Sequence, residues 1–136
     1  MDKKTPLLCR FKRHIHRSSI VDIGAAVDQS LESTFTSKDV SNRSIAIGLG
    51  SRGIANYDVV ARRTIDWLRQ RGARPFVVPA MGSHGGATAA GQLALLAGWG
   101  ITPETMGVPI YATMNAIEIG RIHNNSVPVF MDQKAH

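Results

Sequence analysis

The chain has 136 residues, 43% of them hydrophobic and 19% charged, which suits one globular domain with a real core and excludes a disordered polymer. Its net charge of +6 is unevenly placed: residues 1–17 carry six basic groups against Asp2, whereas the other 119 residues carry ten basic against nine acidic. A nucleic-acid-binding body is therefore disfavoured, the single Cys9 excludes an internal disulfide, and no run approaches the ~18 apolar residues of a membrane span.

The basic segment Leu7 to Ile15 partly alternates apolar and charged residues and is predicted to be a solvated edge strand, with a phosphate-contacting arm as the alternative. Ser18 and Ser19 are read as helix caps, with Asp22 completing a capping-box-like pattern. Ile20, Ile23, Val27 and Leu31 then form one apolar helical face. Thr34 to Arg43 is polar and reads as a loop. The apolar run Ser44 to Gly50 reads as a buried strand, and Asn56 as the cap of a helix reaching Arg71 and stopped by Gly72, with Val60, Trp67 and Leu68 inward.

Pro75 to Pro79 is a second buried strand, followed by a glycine-rich turn and a helix over about Thr88 to Ala97. Thr102, Pro103 and Glu104 predict a cap, an N1 proline and a short helical turn ended by Gly107. Short strands are expected near Ile110, at Ala116 to Ile119 and at Val127 to Phe130, and a helix start at Asp132 to His136. The β-α-β-α-β order implies an α/β fold: a Rossmann-like, mostly parallel sheet with flanking helices, in a single domain.

In such a sheet, ligands bind outside the carboxyl ends of the strands, where both glycine-rich loops fall: residues 48–56 and 79–88. Gly48, Gly50 and Gly53 match a G-x-G-x-x-G pattern. The carboxylate that a dinucleotide site needs after the next strand is missing from Val78, Pro79, Ala80 and Met81. An anion or substrate site built from backbone N–H groups, Ser51 and Arg52 is therefore read ahead of a ligand-free glycine turn, with a dinucleotide site as the least favoured alternative. Arg52 suits a carboxylate or phosphate, because a guanidinium makes two parallel charge-assisted hydrogen bonds.

His84 stands between Gly82 and the Gly85-Gly86 pair, with Ser83 beside it. Few neighbours can bury it there, so an acid/base or ligand-contacting role is read ahead of a loop-ordering one. Thr88 is read as the cap of the next helix. His14, His16, His123 and His136 form no pair with metal-ligand spacing, and no metal site is expected within the chain.

The two loops in this order carry a resemblance. Gly50 to Asn56 and Val78 to Thr88, continued by Glu104 to Ile110 and Met114 to Gly120, resemble the N-terminal domain of the nickel-dependent lactate racemase-like family over about residues 7 to 135. The resemblance implies a racemase or epimerase of 2-hydroxy acids that uses a nickel-pincer nucleotide. In that chemistry a hydride moves from the α-carbon to the pincer ring while a histidine takes the hydroxyl proton.

By resemblance His84 is the first acid/base histidine and Arg52 an arginine near the carboxylate or cofactor. Ser51, Gly53, Asn56, Ser83, Gly85, Gly86 and Thr88 complete the expected substrate- or cofactor-binding set. Ser51 stands ahead of Arg52 where lactate-specific members carry an aspartate-containing version, so a 2-hydroxy acid is implied without lactate being fixed. The family's pincer-holding lysine, second histidine and nickel ligand map to no residue of 1–136. The chain is therefore expected to be part of a longer two-domain protein, inactive and cofactor-free alone and inclined to self-associate. With no apolar signal-peptide region and no membrane span in the sequence, it is also expected to be cytoplasmic, without nucleic-acid or membrane partners. The alternative is a stand-alone module that binds small anions or nucleotides without catalysis.

Overall fold

The computed structural model describes residues 10–14, 19–36 and 38–136. Its elements in chain order are α1 (Ile23–Phe35), β1 (Ser44–Leu49), α2 (Tyr57–Gln70), β2 (Arg74–Pro79), α3 (Ala89–Gly98), α4 (Pro103–Met106), β3 (Ala116–Ile122) and β4 (Val127–Asp132), with single 3-10 turns at Gly85–Ala87 and Gln133–Ala135. Helix and strand are thus mixed along the chain. Among the described residues no helix is long and apolar enough to cross a membrane.

Strands β1 and β2 pair in parallel, in register from Ser44 opposite Arg74 to Leu49 opposite Pro79. The strand expected near Ile110 shrinks to one parallel contact with Val77. Val77 N–H donates to the Pro109 carbonyl and Tyr111 N–H to the Val77 carbonyl, both at 2.9 Å. β3 and β4 instead form an antiparallel hairpin, with an irregularity between Glu118 and Gly120. A parallel arrangement is closed to them, since a parallel crossover needs about a dozen or more residues and only residues 123–126 connect them. Three consecutive residues of that connection, His123, Asn124 and Asn125, take positive φ angles of 50°, 50° and 71°. The expectation of a mostly parallel sheet therefore holds for β1 and β2 and is corrected for the last two strands.

Several boundaries move for local reasons. Asp22 itself caps α1, its carboxylate accepting from Ala25 N–H at 2.9 Å. The helix runs on to Phe35, into the segment expected to be loop, because Phe35 packs on Trp67 with ring centroids 5.7 Å apart. Asn56 does precede α2, but in the left-handed conformation (φ 53°) and without a side-chain cap bond. Asparagine tolerates that conformation better than most residues.

Gly72, with φ +76°, ends α2 as expected. The bonds Gly72 N–H to Arg69 carbonyl (2.9 Å) and Ala73 N–H to Leu68 carbonyl (3.1 Å) complete a Schellman motif. Gly100 closes α3 in the same way, its N–H donating to the Ala97 carbonyl (2.9 Å) and Ile101 N–H to the Leu96 carbonyl (3.0 Å). Thr102 caps α4 in a capping box with Thr105, and Gly107 ends it at φ +66°.

The main core gathers Ile65 of α2, Val77 of β2, Leu96 of α3 and Ile101, all almost fully buried. Burying each such side chain contributes about 1.5–3 kcal/mol. A second cluster of Val40, Trp67, Leu68 and Ala73, with Leu31 and Phe35 partly buried against it, fastens α1 to α2. Of the basic strand expected over 7–15, residues 10–14 are exposed and belong to no strand among the described residues. A strand there would need a sheet edge to pair with. Residues 7–9 and 15, and with them Cys9, lie outside the described residues, as do His16 and Ser18.

Candidate functional site

The register of β1 on β2 sets Leu49 beside Pro79, so both glycine-rich loops leave the sheet at the same end. Ala80 N–H donates to the Leu49 carbonyl at 2.7 Å and extends the pairing one step into the loops. Behind the first loop, the Tyr57 hydroxyl donates to the Gly50 carbonyl at 3.1 Å, and its ring packs on Trp99 at 5.8 Å. Burial pushes the Tyr57 phenol above its ordinary range, with the hydrogen bond to Gly50 opposing the shift, so it remains a neutral donor.

The second loop is built largely from its own backbone. His84 N–H donates to the Met81 carbonyl at 3.2 Å and Ala87 N–H to the Ser83 carbonyl at 3.0 Å. Gly85, Gly86 and Ala87 all take left-handed φ angles, of 67°, 67° and 54°. Two successive glycines lower the cost of that path. At Gly85 a side chain is also excluded by space, since a Cβ there would lie 2.5 Å from the Gly91 backbone.

Thr88 joins loop to helix: its Oγ1 accepts from Gly91 N–H at 3.1 Å and donates to the Gly85 carbonyl at 3.0 Å. One turn on, the buried Gln92 amide donates to the Gly82 carbonyl at 3.0 Å. The loop is therefore held to α3 at Gly82 and Gly85, and His84 lies between those two anchors.

The loops meet through a hydrogen bond between Ser51 Oγ and His84 Nδ1. Around it opens a cleft of about 470 Å³, lined by Gly50, Ser51, Arg52, Ile54 and the stretch Ala80 to His84. Four of the sequence-predicted residues, Ser51, Arg52, Ser83 and His84, thus share one cleft. The other five do not line it. Gly53 and Asn56 shape the descent into α2, Gly85 and Gly86 shape the turn, and Thr88 caps α3. At the α3 N-terminus Gly91 N–H donates to Thr88 Oγ1 at 3.1 Å and Gln92 N–H to the Thr88 carbonyl at 3.0 Å, as the cap read for Thr88 requires.

His84 and Arg52 are both exposed, and Arg52 has no ion pair among the described residues. Its guanidinium is available to an anion. On the far side of the Ala80–Gly82 wall lies a second hollow of about 300 Å³, bounded by Gln92, Met114, Phe130 and Met131. The hairpin's part in that wall was not foreseen. Neither was Gln92, although a lone amide in the otherwise apolar Ala89–Gly98 segment marks it as a residue with a buried partner. Among the described residues no group of three or more His, Cys, Asp or Glu side chains converges as metal ligands would.

No family model, curated protein or solved structure matches this chain.

Proposed function

We propose that this cleft receives the polar head of a 2-hydroxy acid, and that the chain supplies one half of the active site of a lactate racemase-like racemase or epimerase. The observation that carries the reading is the convergence of Arg52 and His84, from loops at the carboxyl ends of two adjacent parallel strands, on one cleft. Arg52 would pair with the substrate carboxylate through two charge-assisted hydrogen bonds, leaving the neighbouring hydroxyl within reach of His84. The His84 imidazole can act as the base that takes that hydroxyl proton and as the acid that returns it.

Inversion at the α-carbon needs an acid/base group on each face, and the described residues bring only one histidine to this cleft. The second would come from outside the described residues. The family's nickel-pincer nucleotide supplies the hydride acceptor, but no set of donors for nickel converges among the described residues. The part proposed for this chain is confined to binding the acid and moving the hydroxyl proton. The resemblance in the two loops also supports reading β1, α2 and β2, with the Ile110 segment alongside, as the centre of a Rossmann-like sheet.

The test is a binding titration of the full chain with D- and L-lactate and larger 2-hydroxy acids, against inorganic phosphate and a nucleoside monophosphate. The proposal expects 2-hydroxy acids to bind, and Arg52→Gln to weaken them by about tenfold or more, the worth of a charge-assisted pair. Tight phosphate or nucleotide binding with no response to 2-hydroxy acids would replace it with the anion-binding module. Indifference of 2-hydroxy acid binding to Arg52→Gln would sink the role given to that arginine.

A further inference from the structure

Ser51 and His84 stand 33 positions apart in sequence, yet Ser51 Oγ and His84 Nδ1 are hydrogen-bonded. Ser51 is half-buried, and its loop is held from behind by the Tyr57–Gly50 bond. The His84 loop is held by Gln92 and Thr88. A contact between two such anchored loops fixes the plane of the imidazole. Nε2, on the other side of the ring, has no hydrogen-bond partner among the described residues, and His84 lines the cleft. The only other ionisable side chain among the described residues lining that cleft is Arg52.

We infer that Ser51 is a positioning residue for His84, and not the substrate-binding residue that the sequence implies. This rests on the reading of His84 as the proton-transfer group. The physical reason lies in what a hydroxyl can do. It donates to a bare Nδ1, which places the ring proton on Nε2, and it accepts from Nδ1–H when the ring is charged or in the other tautomer. One rotation of the Ser51 O–H therefore keeps the bond in every protonation state. The ring holds its orientation, and Nε2 serves as base before proton transfer and as acid after it. A carboxylate at position 51 would also orient the ring, but its charge would favour the imidazolium. A neutral partner leaves both forms accessible.

The experiment records imidazole nitrogen resonances of the ¹⁵N-labelled full chain across pH, with His84→Gln identifying the His84 signals and amide spectra confirming that each variant folds. Ser51→Ala is expected to shift the His84 Nδ1 resonance, Ser51→Thr to restore it, and Ser51→Asp to raise the His84 titration midpoint by about one pH unit. Unchanged His84 nitrogens in Ser51→Ala, or an unmoved midpoint in Ser51→Asp, would overturn the assignment. These spectra need no ligand. A failed 2-hydroxy acid titration would therefore sink the functional reading while leaving the Ser51–His84 pairing separately measured.

Discussion

Gly85 and Gly91 face each other at backbone contact. A Cβ on Gly91 would lie 1.8 Å from the Gly85 carbonyl oxygen, and neither partner can rotate away because both are main chain. Gly91→Ala is expected to cost about 1–3 kcal/mol, the usual range for overpacking. A thermal melt should show the loss as several degrees, and the mutation should also loosen the His84 loop. Retention of the wild-type Tm would mean that the loop does not lie on α3 in this way.

Gln92→Leu keeps the volume but removes the donor to Gly82, a loss of about 1 kcal/mol for a hydrogen bond of this kind. Hydrogen exchange in residues 82–87 should rise with it. The role of Gly85 is legible in the sequence, since glycine pairs mark left-handed turns. Gly91 reads as an ordinary helix residue until the loop is seen lying over it.

At the scale of elements, α1 is tied to α2 by polar contacts around an aromatic centre. Arg63 pairs with the Asp28 carboxylate through two nitrogens, and Arg71 pairs with Glu32 while its guanidinium lies 3.8 Å from the Trp67 ring centroid. The hydrogen bond from Arg63 holds the Asp28 carboxyl below its ordinary range, with the nearby positive charges assisting and desolvation opposing. A carboxyl whose folded pKa is depressed contributes stability above its unfolded pKa, about 3.9 for aspartate, and loses it as pH falls through the lower folded value.

Acidification below about pH 4 should therefore loosen α1 before the rest of the chain. Asp28→Asn should be less stable than wild type near neutrality and show a shallower loss of Tm as pH falls. Parallel curves for the two proteins would show that the pair is without effect, as exposed pairs often are. The caps at Thr102 and Gly72 are legible because they depend on neighbours three or four residues away. The end of α1 is not, since Phe35 stays helical on account of a tryptophan 32 positions later.

Across the whole molecule, stability converges on the core that joins β1 and β2 to α2, α3 and the segment after it. Leu96 is fully buried at its centre. Leu96→Ala should cost about 2–5 kcal/mol and lower the melting temperature seen by every probe together. Leu93, three residues earlier on the same helix, is 38% exposed, so Leu93→Ala should cost far less. A similar loss for both would contradict the way α3 is seated.

The sequence by itself determined the order and type of most elements, the two loops and the identity of the side chains they carry. Those features follow from apolar periodicity, helix caps and glycines, all of which act within a few residues. Only the tertiary structure decided that β3 and β4 turn back as a hairpin, that Gln92 and Gly91 hold the His84 loop, and that Ser51 bonds to His84 and does not simply line the cleft. Each of these depends on groups brought together by packing across many positions of the chain, and no local pattern records where a buried amide or a hydroxyl finds its partner.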